Sequence, residues 1–538
     1  MALDKARAAR AALKTVHDVP FVWDIAFVEI FEGEKDGFDV VIGNPPYIRK
    51  ENIADPRIPR ETITAENKRQ YKDKLLSTVY QAFPRFFCLD NATGVGKRRL
   101  DAQADLFIYF YFVGLWLLAQ RGSFSFICSN SWLDVGYGSD LQEFLLRHCH
   151  VKHIIDNSLK RSFASADINT VICLFSAPNE KSEVGLQCIA RFTMFRVPFE
   201  QALSPVLMQE IEACQKPTTT PEYRVFPQSQ RILFEDGCDV SPMTVSPKER
   251  VVREPRLDYR ANIDTGAYLG NKWGGKYLRA PDIYWRLVQV AKGHLVKLAT
   301  LCDVEGYIHD NNTGPDFPEV RFVKSVKDLR RIRVDLQDEA IVRYGVKNEG
   351  NSRLLAPIVF PRTFGTRHLV PLNVAKAYFK EFYKVLPKDP QDTLSIAAQL
   401  NSTFGILQRE LIGLVNLGEG ALKFSAADVK QFLVLPDIEG KSIQHLFESL
   451  ASRPVFDYRE ELDQQDRRKL DAVIFEALGA SKKDREDIYG AVIALIEARV
   501  NKAASLDGKG TKKRQKAADS LRGIWAGLPD KAMKELLE

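Results

Sequence analysis

Asn44-Pro45-Pro46-Tyr47 is the part of this sequence whose residue types and spacing are best suited to chemistry, and it follows the apolar segment 38–43. The Asn44 side-chain oxygen and the Pro45 carbonyl could each accept one hydrogen of an exocyclic amine, which aims the nitrogen lone pair at an electrophile. Two successive prolines fix the backbone and remove competing N–H donors. Tyr47 offers a flat face on which an extruded base can stack. The segment therefore predicts a site that presents the amino group of a nucleic-acid base.

Alternating strands and helices are predicted around this site. The apolar run 106–119 is shorter than the roughly 20 residues that a membrane-spanning helix needs, so it predicts a buried helix. Strand–helix alternation with apolar residues on both faces is typical of an α/β fold built on a layered sheet. Strands are predicted over 38–43, 123–129, 151–156 and 170–175, and helices over 104–120 and 141–147.

The segment from Phe38 to Tyr47 resembles motif IV of amino-group methyltransferases. Its surroundings resemble N6-adenine-specific DNA methyltransferases with gamma-type motif order, in particular type IIG restriction–modification enzymes. Further similar segments occur in the family's order. One precedes the motif, at 21–31, and three come after it, at 104–107, 121–132 and 162–174. The resemblance implies a Rossmann-like methyltransferase sheet, S-adenosylmethionine as methyl donor and double-stranded DNA as substrate. By position in the last segment, it also implies that Phe163 stacks on the extruded adenine opposite Tyr47.

The four-residue motif is not unique to enzymes that act on DNA. Taken alone, Asn-Pro-Pro-Tyr is also a turn that ends a strand, and it occurs in glutamine methyltransferases that act on proteins. An aromatic residue before a strand, such as Phe163, is commonly part of a core. Two further functions stay open, a DNA sequence-specificity subunit without chemistry and a protein or RNA methyltransferase. The intact amine-binding motif argues against the first, and the long region after it argues against the second.

A glycine-rich turn for the methionine end of S-adenosylmethionine normally precedes this motif in the family by many tens of residues. Only about forty residues precede Asn44 here, and they contain no such turn. A second polypeptide that carries the glycine-rich motif, a truncated chain and an inactive relic would each account for this difference. The helical pattern of the first sixteen residues favours the second polypeptide. The cofactor-binding residues therefore stay unassigned.

Five regions are predicted from changes in composition along the chain. Proline, threonine and charged residues accumulate after residue 200, which is typical of a linker. Irregular segments with many turns follow, and from 441 onward apolar residues recur at helical spacing. The predicted regions are an N-terminal helix at 1–20, a methyltransferase portion at 21–200, a linker at 201–249, a mixed α/β target-recognition domain at 250–440 and a helical segment at 441–538.

Residues 306–314 and 400–423 resemble turns in the target-recognition domains of the same family. Cations in this region suit DNA phosphates or guanines, and Asn373 or Asn416 could read adenine. Each single residue is also consistent with an ordinary solvated surface, whereas the group as a whole predicts DNA contact. The predicted DNA-binding cations are Arg343, Lys347, Arg353, Arg362, Arg367 and Lys423.

The composition permits a nucleic-acid partner without demanding one, because the net charge is only +6. The eight cysteines are scattered singly without a C-x-x-C pair, which favours a reduced, cytoplasmic protein and argues against a zinc ribbon. No metal site and no membrane segment are predicted. The assembled enzyme is expected to methylate adenine N6 in a defined duplex sequence, in a restriction–modification or phage-defence system.

Overall fold

The computed structural model divides the chain into two compact units, Met1–Ala280 and Pro281–Glu538. The residues that it describes are 22–31, 36–89, 98, 100–158, 169–238, 268–347, 352–415, 420–436, 438 and 440–504. The predicted N-terminal helix at 1–20 lies outside these ranges. No helix within them is both long enough and apolar enough to cross a membrane.

A seven-stranded mixed sheet forms the centre of the first unit. The strands are β1 (Phe38–Gly43), β2 (Leu118–Ser129), β3 (Val151–Asn157), β4 (Thr170–Ser176), β5 (Ile189–Phe195), β6 (Thr218–Thr219) and β7 (Tyr223–Ser229). Their spatial order is β1-β2-β4-β3-β5-β7-β6. β1 is parallel to β2 and β3 is parallel to β5, whereas the other neighbours are antiparallel. The predicted α/β class is therefore confirmed, with a sheet that is mixed.

Helices flank this sheet. They are α1 (Trp23–Ala26), α2 (Val28–Phe31), α3 (Ala65–Ala82), α4 (Leu106–Trp116), α5 (Ser139–His148), α6 (Phe199–Ala202), α7 (Pro205–Ala213) and α8 (Gln230–Gly237). Gly114 of α4 permits close packing on the sheet, since a Cβ there would lie 2.8 Å from the Phe124 ring and 3.4 Å from the Val41 side chain. Residues 106–116 of the apolar run thus form a largely buried helix. The predicted helix 104–120 extends too far, because Leu118 and Ala119 already belong to β2.

β1 forms one edge of the sheet, since β2 is its only neighbour among the described strands. Val41 faces α4, so Val40 and Ile42 point to the opposite face by the alternation of side chains along a strand. They are 61% and 79% exposed. Large apolar side chains beside an unpaired strand edge are an unusual surface for a folded protein, because both normally become covered.

The segment 201–249 differs from the predicted linker. Its described part, up to Cys238, contributes α7, β6, β7 and α8 to the first unit. The run Tyr223–Phe226 is buried, and its burial in the sheet outweighs the turn-forming composition around it. Pro227 is tolerated because β6 pairs only with positions 224 and 225, so β7 has a neighbour on one side only at the proline. The first unit also includes residues 268–280, which the composition had assigned to the target-recognition domain.

The second unit contains small sheets and a group of helices. Its strands are β8 (Val296–Lys297), β9 (Cys302–Glu305), β10 (Glu319–Val323), β11 (Arg333–Val334), β12 (Ile341–Gly345), β13 (Ile358–Pro361), β14 (Thr363–Phe364), β15 (Leu372–Asn373), β16 (Tyr378–Phe379), β17 (Phe382–Pro387), β18 (Leu414–Val415), β19 (Leu422–Lys423) and β20 (Leu433–Val434). Its helices are α9 (Asp282–Val290), α10 (Leu298–Leu301), α11 (Thr393–Asn401), α12 (Thr403–Ile412), α13 (Ala426–Lys430), α14 (Gly440–Ser452), α15 (Tyr458–Leu462), α16 (Gln465–Ala477) and α17 (Lys482–Ala504).

The helical C-terminal segment is not separate from the region before it. α14 packs on α11, and α17 packs on α12, so the helices after residue 440 complete the core of the second unit. The helical pattern predicted from 441 onward is present as α14 to α17. The boundary predicted at 440 is absent because the apolar faces of these helices are buried against the preceding ones.

Candidate active site

The Asn-Pro-Pro-Tyr segment is a loop at the carboxyl end of β1. Asn44 and Pro46 are exposed, Pro45 is buried and Tyr47 is half-buried. The Tyr47 hydroxyl donates to Asn44 Oδ1 at 2.6 Å and also reaches the Ile127 carbonyl oxygen of β2 at 3.4 Å. The structure therefore brings the predicted acceptor and the predicted aromatic together, and shows that the Asn44 oxygen already serves as an acceptor.

Backbone hydrogen bonds and one carboxylate fix the loop in place. Ile48 N donates to the Pro46 carbonyl at 3.0 Å, and Leu106 N at the start of α4 donates to the Ile48 carbonyl at 3.0 Å. Lys50 N donates to Asp105 Oδ1 at 2.9 Å. Since Asp105 also precedes α4, the same short stretch of chain begins the buried helix and holds the loop after the motif.

A chain of hydrogen bonds extends from Asp105 to the end of β2. The Tyr137 hydroxyl donates to Asp105 Oδ2 at 3.0 Å and lies 2.6 Å from Ser131 Oγ. Ser131 Oγ in turn lies 2.9 Å from Ser129 Oγ. Burial and the Asp105 carboxylate raise the pKa of Tyr137, so the phenol stays protonated and acts as a donor. The segments at 38–47, 104–107 and 121–132, which carry the resemblance to the methyltransferases, thus meet in space.

Tyr47 is also a neutral donor. Burial, with a smaller contribution from Cys128, raises its pKa to about 12. Beneath it, Cys128 Sγ lies 2.7 Å from the Tyr111 hydroxyl of α4, and both residues are fully buried. The loop therefore rests on a rigid core and carries no acid or base of its own, which suits a reaction that needs positioning more than proton transfer.

A second buried polar cluster joins residues 268–279 to the loop after β2. The Gln142 side-chain oxygen accepts from the Tyr268 hydroxyl at 2.8 Å, and its amide donates to carbonyls of the loop. Asp134 Oδ1 accepts from Gly275 N at 3.0 Å. These contacts were missed by sequence reasoning, because partners so distant in sequence leave no local pattern. Only the position of Asp105, directly before an apolar helix, was a usable signal for this part of the site.

Two parts of the predicted site lie outside the described residues. Phe163, the predicted second stacking aromatic, belongs to 159–168, and its placement stays a prediction. The side chain of Arg353 lies outside as well, although its backbone is in the short 3-10 turn Ser352–Leu355. No cluster of three or more metal-ligating side chains occurs within the described ranges.

The predicted DNA-binding cations lie in the second unit and differ in environment. Arg362 donates to Glu381 Oε1 at 3.2 Å and stacks on Tyr307 at 4.8 Å, so its charge is partly neutralised within the unit. Burial and the nearby Arg330 lower the pKa of Arg367. The remaining three described cations are exposed on the surface, namely Arg343, Lys347 and Lys423.

Asn373 is a structural residue and does not read a base. It is 5% exposed, and its amide donates to the carbonyls of Ala356 and Ala377 at 3.1 and 2.9 Å. Its side-chain oxygen accepts from Ala377 N at 2.9 Å. Both amide hydrogens and one of the two oxygen lone pairs are thus used inside the unit, and burial keeps the side chain away from an external base. Asn416 lies outside the described residues.

Comparisons with known proteins show a similarity in the region that contains this loop. Residues 11–96 and 90–163 match the model of the Eco57I restriction-modification methylase family. The type II methyltransferase M.BstVI of Geobacillus stearothermophilus is 29% identical over 119 residues, which are 22% of this chain and 16% of that protein. M.PaeR7I of Pseudomonas aeruginosa is also 29% identical over 119 residues, 22% of this chain and 15% of that protein. The matches thus span only a small part of these relatives.

Solved structures of restriction–modification enzymes align over more of the chain. MmeI, a type IIL restriction-modification enzyme in complex with DNA, is 13% identical with a TM-score of 0.42, and the alignment covers 87% of this chain and 57% of that chain. Residues 11–163 are thus similar in sequence to the Eco57I restriction-modification methylase family, and this region includes the loop at the end of β1.

Proposed function

We propose that this chain is the target-adenine and DNA-recognition part of a cytoplasmic, site-specific DNA adenine-N6 methyltransferase of a restriction–modification or phage-defence system. The observation that carries the proposal is the exposed Asn44 oxygen at the end of β1, held beside Tyr47 inside a restriction-modification methylase domain. The methyl donor would be S-adenosylmethionine, which supplies an electrophilic methyl group.

Asn44 and Pro45 would bind the adenine amino group. Asn44 Oδ1 accepts a hydrogen bond from the Tyr47 phenol, so an incoming N6–H would replace one donor by another. Such an exchange costs little, because the acceptor is satisfied before and after it. The second amine hydrogen would go to the Pro45 carbonyl. With both hydrogens held, the nitrogen lone pair projects out of the base plane towards the methyl donor.

Tyr47 and Phe163 would hold the extruded base between two rings. The Tyr47 ring lies next to the amine acceptor, and releasing its hydroxyl from Asn44 would allow it to turn beneath the base. A base–aromatic stack contributes about 1–3 kcal/mol to binding. Because Tyr47 is a neutral donor, its hydroxyl has no role as a base in this proposal.

The described residues of this chain do not form a complete site for S-adenosylmethionine. Close approach to the methionine end needs a glycine-rich turn and the ribose needs a carboxylate. The described loop at the end of β1 supplies prolines and an asparagine instead. The short helices α1 and α2 before it contain no glycine, although each carries one acidic residue, Asp24 and Glu29. We therefore assign no step of the reaction to a cofactor contact from this chain.

A second polypeptide with the glycine-rich turn would complete the sheet at β1. Among the described strands β1 has a neighbour on one side only, and Val40 and Ile42 beside its other edge are exposed. A parallel strand from the partner would cover both and bring its own turn next to Asn44. Calorimetry should show weak binding of S-adenosylmethionine to this chain alone. Micromolar affinity without a second polypeptide would contradict this part of the proposal.

The function is tested by methyl transfer from labelled S-adenosylmethionine to duplex DNA, with the assembled enzyme and nucleoside analysis of the product. Asn44→Ala should lower the rate by ~10²-fold or more, since that is the usual loss for one contact of this kind. Asn52→Ala, an exposed asparagine in the same loop region, is the matched control. Tyr47→Phe keeps the ring and frees the Asn44 oxygen, so transfer should persist.

The product and the variants separate the possible functions. Label in N6-methyladenine supports the proposal, and label in another base corrects the target. If duplex DNA is bound but no assembled form transfers methyl groups, the chain is a sequence-specificity subunit. Transfer to protein or RNA instead of DNA would refute the recognition part of the proposal.

A further inference from the structure

Two arginines lie directly opposite each other on neighbouring strands of the second unit. β10 and β12 pair antiparallel, and their register places Arg321 of β10 beside Arg343 of β12. Directly opposite residues in such a pair share one face of the sheet and have Cβ atoms about 4.5–5.5 Å apart. The two side chains therefore leave the sheet next to each other and in the same direction.

One face of β10 is packed in a core, and the opposite face is exposed at the two arginines, although Val323 at the end of that face is buried. Val320 and Phe322 of β10 are 8% and 0% exposed and belong to a core cluster on one side. By the alternation of side chains along a strand, Arg321 and Arg343 point to the other side, and both are exposed. This arrangement, apolar inside and cationic outside, presents two guanidinium groups to an external partner.

Neither guanidinium is neutralised by a neighbour that the structure describes. In the described part of the chain, neither Arg321 nor Arg343 has an ion pair or a side-chain hydrogen bond. Glu319 is the only acid among the residues of both strands on this face, and it lies diagonally from Arg343, where neighbours are about 7–8 Å apart. Arg459, by contrast, is exposed but pairs with Glu497.

We infer that Arg321 and Arg343 together bind one phosphate of the DNA backbone. Like charges directly opposite on paired strands are destabilising by themselves, so the pair favours an anion that lies between them. The planar guanidinium fork matches the oxygen geometry of a phosphate, and two forks can hold one phosphate from both sides. This inference rests on the proposed function only in taking duplex DNA as the source of the phosphate.

The test is the salt dependence of binding to a labelled duplex of mixed sequence, measured with the full chain by fluorescence anisotropy at about 50 to 200 mM salt. The double variant Arg321→Gln/Arg343→Gln should lower the slope of log affinity against log salt by about 1, which corresponds to one phosphate. Arg459→Gln removes the same charge from an ion pair and should leave the slope unchanged. Glu319→Gln should tighten binding.

Each outcome decides a separate point. A slope change near 1 in the double variant, with no fall in its melting temperature, supports the shared phosphate. A change near 2 would show two separate phosphates, and no change beyond that of Arg459→Gln would show that the pair does not contact DNA. In these two cases the inference fails while the proposed function stands. If the wild-type chain binds no duplex at all, both fail.

Discussion

The two units use buried polar groups in different ways. In the first unit, Asp105, Tyr137 and Ser131 form a short chain of hydrogen bonds that ends at the loop after Asn44. In the second unit, Glu410 of α12 binds Arg499 of α17 through both oxygens, each at 2.8 Å. The first network leaves an acceptor exposed at a strand end, whereas the second is sealed between helices.

The difference shows that buried charge by itself does not mark a reactive site. His368, Glu410 and Arg499 are nearly fully buried, and their partners are one another, the side chain of Arg409 and backbone carbonyls of the same unit. Every strong contact of that network joins elements far apart in sequence. Its groups therefore stabilise the unit, whereas the role proposed for the loop of the first unit depends on the exposed side chain of Asn44.

The largest effect is expected from breaking the buried pair of the second unit. Glu410→Gln leaves the Arg499 guanidinium buried without a counter-charge, and removing one partner of such a pair costs about 3–5 kcal/mol. Chemical denaturation followed by circular dichroism measures the loss of unfolding free energy. Glu497→Gln, which breaks the exposed pair with Arg459, is the matched control and should change little. Equal effects of both changes would contradict the distinction between sealed and exposed pairs.

A second prediction concerns the pH dependence of the same network. Burial lowers the pKa of His368 to about 4, so the folded unit holds a neutral imidazole, which accepts from Arg409 Nε at 3.2 Å. Protonation is easier in the unfolded chain, whose histidine pKa is about 6.5. The contribution of neutral His368 to the free energy of unfolding is therefore fully present above pH ~6.5. As the pH falls towards 4, the free energy of unfolding decreases by up to about 3 kcal/mol.

The contribution of His368 is separated from that of other titrating groups by comparing the wild type with a variant that lacks this histidine. Thermal unfolding of the wild type and of His368→Gln should converge as the pH falls from about 6.5 to 4, because only the wild type loses this contribution. His445→Gln alters an exposed histidine and serves as control. A constant difference between wild type and His368→Gln over this range would show that His368 does not titrate as stated.

The smallest effect is expected at the loop of the first unit. Asp105→Asn keeps the shape but removes the charge that accepts from Lys50 N and from Tyr137. We expect the transition state of methyl transfer to lose about 1 kcal/mol of stabilisation, which lowers the rate roughly fivefold. The free energy of unfolding should be nearly unchanged. Glu51→Gln, an exposed acid in the same loop region, should leave the rate unchanged. A stability loss as large as that of Glu410→Gln would mean that Asp105 is structural, like the second network.

Local patterns in the sequence were sufficient for much of the first unit. Short apolar runs predicted β1, β3 and β4 with bounds within a residue, since strands buried in a sheet must be apolar. The start of β2 was placed five residues late, because Leu118 and Ala119 continue the apolar pattern of α4 and Arg121-Gly122 is a usual helix end. The segment 201–249 was misjudged, because its strand is recognisable only from the partner that buries it.

The prediction of an amine site depended on the sequence alone. Four adjacent residues, two of them prolines, determine the geometry of the Asn-Pro-Pro-Tyr motif locally. Which groups support the loop was decided only by the tertiary structure, because Asp105, Tyr137 and Ser131 come together through packing of α4 on the sheet. The same holds for Arg321 and Arg343, which are neighbours only because of the register between β10 and β12. Register depends on long-range pairing, and no local pattern in the chain specifies it.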